Sequence, residues 1–295
     1  MDTQLIDSYH IHHGDCIPFM ASLPDACIDM SVFSPPFPSL YAYTSECGDI
    51  GNSENLHTDA KLHLSFFYRQ LARIVKPGRV VMVHVCQIPR MKRTGEVGLH
   101  DFRGMNIRIG ERAGLVYEYD WLVRKNPQAQ AIRTKSRELQ FSGLESDRAK
   151  SRGTLGDYLI KFRARGVNET PITSQDNLSQ HQWRESWIDW AESSWRNIRE
   201  TDTLNVRGTK SENDTKHICP LQLTVIERLI RLYSNEGDLV FSPFTGIGSE
   251  GYEAMLLGRR FLGCELKEEY YLKAIENIDS AIAKRNQQEQ LPLFA

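Results

Sequence analysis

Apolar and polar positions keep a regular phase over the first part of the chain and again over its last part, and lose it between. Residues 9–12 (Y-H-I-H) and 28–33 (I-D-M-S-V-F) read as strands, the second halted by Pro35 and Pro36, which bias the backbone before them away from helix. A short helix is expected over 18–23. Leu62, Phe66, Leu71 and Val75 recur at helical spacing, predicting a helix over 58–75 with those residues facing inward, ended by Lys76-Pro77-Gly78. Residues 79–85 (R-V-V-M-V-H-V) then form the continuous β-branched run expected of a strand buried on both faces.

The last part repeats this rhythm. Leu223, Ile226, Leu229, Ile230 and Tyr233 mark a helix over 220–233, with Asn235-Glu236-Gly237 as its stop. A strand over 238–241, a helix over 249–257, a strand over 260–265 and an amphipathic helix over 267–285 follow. Strand, helix and strand with Gly and Pro between them predict a largely parallel α/β sheet. The intervening residues, 126–215, are rich in Gln, Ser, Thr, Asn and Arg and carry four of the five tryptophans. Trp183, Trp187 and Trp190 share a helical face, a pattern commoner in a core or dimer face than in a base-stacking platform. The simplest organisation is one α/β domain in two halves, 1–125 and 216–295, separated by an inserted module at 126–215.

Composition changes this picture little at first. The 295 residues are 40% hydrophobic and 25% charged, as in an ordinary globular protein. No run approaches the roughly 18 apolar residues of a membrane helix, and the first residues lack the basic and apolar regions of a secretory signal, so a cytoplasmic protein without membrane contact is expected. Six scattered cysteines (Cys16, Cys27, Cys47, Cys86, Cys219, Cys264) contain no C-x-x-C pair, predicting reduced thiols and neither a disulfide framework nor a metal site. A net charge of -2 argues against a nucleic-acid partner until it is counted by region. From 124 to 165 there are eleven Lys or Arg against four acids, a positive excess within the inserted module.

Two clusters carry chemistry. Gly246-Ile247-Gly248 follows the strand at 238–241 and opens the helix at 249. Such a turn lets the backbone approach a ligand and aims free amides at it. Glu265, ending the next strand, stands where an acid accepts hydrogen bonds from ribose hydroxyls. In the other half, Ser34-Pro35-Pro36-Phe37 follows the strand at 28–33. The prolines stiffen the turn, so that the Ser34 side chain and the Pro35 carbonyl offer two acceptors beside the flat ring of Phe37. Two acceptors and a ring suit a planar base with an exocyclic amine. Each cluster also fits a plain structural turn.

S-P-P-F after one strand, F-x-G-x-G after another and a basic insertion between them together resemble the β-class S-adenosylmethionine-dependent DNA amino-methyltransferases, solitary or prophage-type. The resemblance covers roughly residues 9–90 and 214–280. It implies a Rossmann-like class I methyltransferase sheet with circularly permuted motif order, an inserted target-recognition region at 126–215, double-stranded DNA as partner, a homodimer, and no fused nuclease. Ser34, Pro35, Pro36 and Phe37 match the family's catalytic [DNS]-P-P-[YF]. Phe244, Gly246 and Gly248 match the segment that wraps the cofactor's methionine moiety, Glu265 the ribose acid, and Gly14-Asp15 a G-D whose acid meets the adenine. Residues 217–223 (H-I-C-P-L-Q-L) resemble the segment that opens a helix before the cofactor motif. The implied cofactor set is therefore Asp15, Cys16, Ser34, His217, Cys219, Pro243, Phe244, Thr245, Gly246, Gly248, Glu265 and Leu266. Arg133, Lys135 and Arg137 are the candidate DNA contacts, to phosphate or to base edges. Where the family has D-P-F, this chain has Ser242-Pro243-Phe244, so either cofactor affinity falls or Asp238 or Asp15 compensates.

The implied reaction is direct methyl transfer to the exocyclic amine of a flipped base stacked on Phe37. No cysteine follows a proline, which disfavours cytosine C5 chemistry through a thiolate. Ser at the first motif position is commoner in cytosine-N4 enzymes. The longer string S-P-P-F-P-S-L-Y, with Gly51-Asn52-Ser53, leans toward adenine N6. Methylation of RNA or of a protein glutamine is disfavoured by motif order, and a non-catalytic DNA-binding module with a decayed cofactor site is the remaining alternative.

Overall fold

The structure, a computed structural model, describes residues 3, 6–37, 59–90, 98–128, 130, 139, 141, 144–145, 147–176, 178–204 and 221–290. Its strands are β1 (Tyr9–His13), β2 (Ile28–Phe33), β3 (Val75–Cys86), β4 (Ile88–Pro89), β5 (Leu99–His100), β6 (Val116–Val123), β7 (Asp157–Arg163), β8 (Ser194–Trp195), β9 (Leu239–Ser242) and β10 (Arg260–Glu265). Its helices are α1 (Cys16–Ser22), α2 (Asp59–Ile74), α3 (Phe102–Arg112), α4 (Gln180–Trp190), α5 (Leu223–Tyr233), α6 (Ser249–Leu256) and α7 (Glu268–Gln290). No described helix is long and apolar enough to cross a membrane.

Eight strands form one mixed sheet in the order β1-β10-β9-β2-β3-β7-β6-β8. The neighbours from β1 to β3 all pair in parallel, with Ile11 opposite Gly263, Met30 opposite Val240 and Val32 opposite Met82. β7 runs antiparallel to both β3 and β6. Strand β2 is buried at all six positions, so its two polar residues find partners inside the sheet, Ser31 Oγ donating to the Phe241 carbonyl at 3.0 Å and Asp29 accepting from Leu239 N at 2.9 Å.

Helices cover both sheet faces. Phe19 and Met20 of α1, Leu64, Phe67 and Leu71 of α2, and Phe102 and Ile109 of α3 pack on one face against Phe33, Val81, Phe241 and Leu262. Val225, Ile226 and Leu229 of α5, Met255 of α6 and Ile278 of α7 pack on the other against Met30, Val32, Met82 and Phe261. Each such side chain removed from water contributes about 1.5–3 kcal/mol before the entropy of ordering it.

Three expectations change. The inner face of α2 is Ala60, Leu64, Phe67, Tyr68, Leu71 and Ile74, whereas Leu62 and Phe66 are 56% and 51% exposed and Val75 already belongs to β3. Two apolar stripes run along this helix, and only contact with the sheet selects between them. The stretch 126–215 is not wholly outside the sheet, since it supplies β7, a strand interior to it, and β8 at its edge. The tryptophans of α4 do not form one buried face: Trp190 is buried, Trp183 is half-buried and meets both others at ring centroids of 5.9 and 6.2 Å, and Trp187 is exposed.

Candidate active site

All five parallel strands end at one edge of the sheet. There lie Gly14-Asp15 after β1, Leu266 after β10, the loop 243–248 after β9, and Ser34-Pro35-Pro36-Phe37 after β2. From β9 the chain returns through α6 to β10 on one side, and from β2 it returns through α2 to β3 on the other. Adjacent strands whose chains depart in opposite directions leave a crevice between their carboxyl ends, where open α/β sheets bind ligands. Three rings join the two loops beneath it: Phe33 lies 5.8 Å from Phe244, and Phe67 lies 5.3 and 5.1 Å from these two.

The glycine loop is built for close approach. Gly246 and Gly248 have φ of 54° and 90°, in the left-handed region that glycine alone enters cheaply. A Cβ on Gly246 would meet no atom within 4 Å, so its missing side chain leaves open space, whereas one on Gly248 would stand 3.0 Å from the Ala274 backbone of α7. The first glycine thus admits a ligand and the second lets a helix pack. Thr245 braces the loop, its Oγ1 donating to the Ser242 carbonyl at 3.1 Å and its N–H to the Cys264 carbonyl at 2.9 Å.

Glu265 holds this loop from β10, accepting from Gly246 N at 2.7 Å and Lys267 N at 2.9 Å. A carboxylate has more lone pairs than two amides use, so it can also accept from ligand hydroxyls. Ser242 Oγ and Ser249 Oγ are buried and have no hydrogen-bond partner among the described residues. Unsatisfied buried hydroxyls are costly unless something bonds them, so the polar atoms here suit a ligand with donors and acceptors. Glu250, which the sequence did not single out, lies in the first turn of α6; burial, with Glu265 nearby, pushes its carboxyl up to about 8.

The departure at Ser242 is not made good by Asp238. Asp238 precedes β9 at the opposite edge of the sheet, where Arg79 Nη1 bonds it at 2.9 Å. Asp15 lies at the right edge, but its Oδ1 caps α1 by accepting from Ile17 N at 2.8 Å. The Cys16 thiol is packed in the core, where burial raises its pKa, which leaves its backbone to face the crevice edge. Leu266 and Pro243 stand beside Glu265 and Phe244 in the same edge loops. His217 and Cys219 lie outside the described residues, as do Arg133, Lys135, Arg137 and Gly51-Asn52-Ser53.

On the other side of the crevice, Pro35 is buried and Phe37 half-buried, its ring 5.6 Å from Phe102. Ser34 Oγ donates to the His84 carbonyl at 3.1 Å and lies 3.3 Å from His84 Nδ1. His84 Nε2 stands 2.7 Å from Asp157 Oδ2, which also holds Lys125 Nζ at 2.7 Å. Burial alone would raise the Asp157 carboxyl, but the facing His84 and Lys125 outweigh it and hold it at about 2. Sequence reasoning missed this chain of contacts. Its one local signal is a lone polar residue, His84, inside an apolar strand.

The basic excess of the middle segment is partly consumed internally. Lys125 is buried on Asp157, while Lys161 and Arg163 pair with Glu118 at 2.9 and 2.5 Å. Arg148 is exposed, and so are Leu139, Phe141 and Leu144 nearby.

Residues 28–276 match the profile of the N6/N4 DNA methylase family, most of the chain and both loops of the crevice included. Type II methyltransferase M.BamHI of Bacillus amyloliquefaciens is 22% identical over 268 residues, which is 87% of this chain and 54% of that protein. The chain thus spans about half of that relative's length, and less than a third of two others. Among solved structures, TTHA0409 of Thermus thermophilus complexed with S-adenosyl-L-methionine superposes with a TM-score of 0.68 at 22% identity, covering 93% of this chain and 94% of that one. The cytosine-N4-specific PvuII DNA methyltransferase does so with 0.65 at 16% identity, covering 95% and 92%. Structural likeness at such identity establishes the fold, and the profile match establishes the lineage: the chain belongs to the N6/N4 DNA methylase family.

Proposed function

We propose that this protein transfers a methyl group from S-adenosylmethionine to the exocyclic amine of a base in double-stranded DNA, with adenine N6 as the favoured target. The observation that carries the reading is the adjacency of two loops at the sheet's switch point, S-P-P-F after β2 and the glycine loop after β9, bridged by Phe33, Phe67 and Phe244. M.BamHI, with which the chain shares sequence, is a type II methyltransferase by name, and PvuII, with which it shares the fold, a DNA methyltransferase. The sheet order supports a permuted reading in which β9 and β10 carry the cofactor motif although β2, with the catalytic motif, comes first in the chain.

The cofactor, when bound, supplies an electrophilic methyl on its sulfonium. Gly246 leaves room for it, Glu265 accepts its ribose hydroxyls, and Ser242 and Ser249 offer hydroxyls in place of the family's acid. Asp15 and Leu266 line the adenine side, with His217 and Cys219 assigned by resemblance alone. Across the crevice, Ser34 Oγ and the Pro35 carbonyl grip the two amine hydrogens, weakening delocalisation of the nitrogen lone pair into the ring, while Pro36 fixes the turn and Phe37 flanks the base. Paired and stacked in the duplex, that amine cannot reach the crevice, so the base is flipped out.

Recognition falls to the parts of 126–215 that flank β7, with Arg133, Lys135 and Arg137 as contacts and the exposed Phe141 following them in the sequence. A homodimer through the exposed Trp187 face is part of the same reading.

Incubation of the full chain with DNA and labelled S-adenosylmethionine, followed by nucleoside analysis, tests it. N6-methyladenine is expected, with Ser34→Ala lowering the rate by about 10²–10³-fold while sparing cofactor affinity. N4-methylcytosine alone refutes the base assignment, and cofactor binding with no methylated DNA refutes the substrate.

A further inference from the structure

We propose that His84 and Asp157 form a proton-accepting relay behind Ser34, making the serine of S-P-P-F the conduit through which the exocyclic amine loses its proton. This rests on the amino-methyl transfer proposed above. A neutral serine hydroxyl is a poor base and takes up a proton only if it gives its own away in the same step. The group able to receive that proton stands behind it, His84 Nδ1 at 3.3 Å.

The hydrogen-bond inventory decides which way the ring is protonated. Ionised Asp157 can only accept, so the 2.7 Å contact requires a proton on His84 Nε2. In the neutral ring this leaves the Nδ1 lone pair facing Ser34 Oγ, whose one proton rests on the His84 carbonyl at 3.1 Å and turns to Nδ1, 3.3 Å away, as the amine proton arrives. A ring protonated at Nδ1 would instead donate to Oγ and occupy the lone pair that the amine needs. Lys125 Nζ, on the same Asp157 oxygen and nearly fully buried, keeps the carboxylate ionised and already balances its charge, so a resting imidazolium is not needed to complete the pair. Asp157 is held at about 2 by these neighbours.

The fold assembles this group only at the crevice. Asp157 opens β7 opposite Cys86, the last residue of β3, which sets His84 diagonally across from it. Val123 of β6 pairs with Asp157 from the other side, bringing Lys125 in just past the strand end. A buried ion pair returns little net stability against its desolvation cost, so a role in stability alone explains poorly why three strands converge on charged groups behind one serine.

As the amine nitrogen bonds the methyl carbon, the carbon–sulfur bond breaks and sulfur keeps its electron pair. The nitrogen then passes a proton to Ser34 Oγ while the Ser34 hydroxyl proton moves to His84 Nδ1, and Asp157 pairs with the resulting imidazolium until solvent takes the proton. His84 and Asp157 act through Ser34, as positioning residues.

Two measurements on the full chain test the relay. Nitrogen-15 NMR of labelled histidine is expected to find His84 protonated at Nε2 and bare at Nδ1; a neutral ring protonated at Nδ1 overturns the proposal, whatever any variant does. His84→Gln is expected to lower kcat about 10²–10³-fold with KM for DNA and calorimetric affinity for S-adenosylmethionine unchanged; turnover equal to the parent's also overturns it. The parent chain assayed alongside separates this from failure of the functional reading: a parent that methylates no DNA sinks both, and an active parent with an equally active variant sinks the relay alone.

Discussion

The two ends of the parallel strands β2, β3 and β9 are built on opposite principles. At the amino end, Arg79 is buried between Asp29 and Asp238 at 3.4 and 2.9 Å, Lys76 Nζ reaches Asp29 at 2.6 Å, and Leu239 N donates to Asp29 at 2.9 Å. Each of these charges has a partner, and burial still raises the Asp238 carboxyl despite Arg79, a measure of what the closure costs. At the carboxyl end, two serine hydroxyls are buried without described partners, Gly246 borders open space, and Glu250 is held with a raised pKa. One end spends its polar groups on holding the strands together. The other keeps them for a ligand, which only a sheet clamped elsewhere can sustain.

The contrast can be broken at either end. Arg79→Ala leaves Asp238 without its cation and Asp29 with Lys76 alone, and urea unfolding should register a loss of about 3–5 kcal/mol with cofactor affinity of the folded fraction retained. A variant as stable as its parent would undo the description of a clamp. Gly246→Val, which forces a branched side chain into the ligand space at φ of 54°, should weaken S-adenosylmethionine binding about a hundredfold, or roughly 2.7 kcal/mol, and cost less in stability. Calorimetry returning the parent's affinity would move the cofactor elsewhere.

The smallest effect concerns Glu250. Its carboxyl is raised by burial from 4.5 to about 8, so the folded chain keeps a proton that the unfolded chain releases over that window. The stability it contributes is full below about 4.5 and is lost as the pH rises toward 8, at no more than about 1.4 kcal/mol per pH unit. Glu253, raised likewise to about 8 by burial with Glu227 and Asp202 nearby, adds the same slope. Glu250→Gln should therefore flatten, not abolish, the fall in stability between pH 5 and 8 measured by urea titration. An unchanged slope would show Glu250 to be ionised in the folded state.

How much was legible follows from what kind of signal each feature leaves. Strands β2 and β10 have the limits predicted for them, because apolar residues recurring over a strand's length, bounded by breaks in the pattern, are a property of the segment itself. The two loops of the crevice were legible for a similar reason, since Pro35-Pro36 and Gly246-Ile247-Gly248 constrain their own backbones. The inner face of α2 was not, because Leu62 and Phe66 stand about one helical turn apart just as Leu64 and Phe67 do. Strand β7 escaped notice within a polar stretch, as its partners β3 and β6 lie far off in sequence. The basic count was legible as a sum but not as a surface, because Glu118, which pairs with Lys161 and Arg163, lies outside the window counted.

The sequence by itself determined the α/β class, the two loop motifs and the acid at the end of β10, because these depend on local backbone restriction and on short-range periodicity. Tertiary structure alone decided that the two loops meet, that Asp238 serves the far end of the sheet, and that Ser34, His84, Asp157 and Lys125 form one chain. Those outcomes depend on strand order and pairing register, which are set by the summed packing of both faces and leave no mark on any single segment.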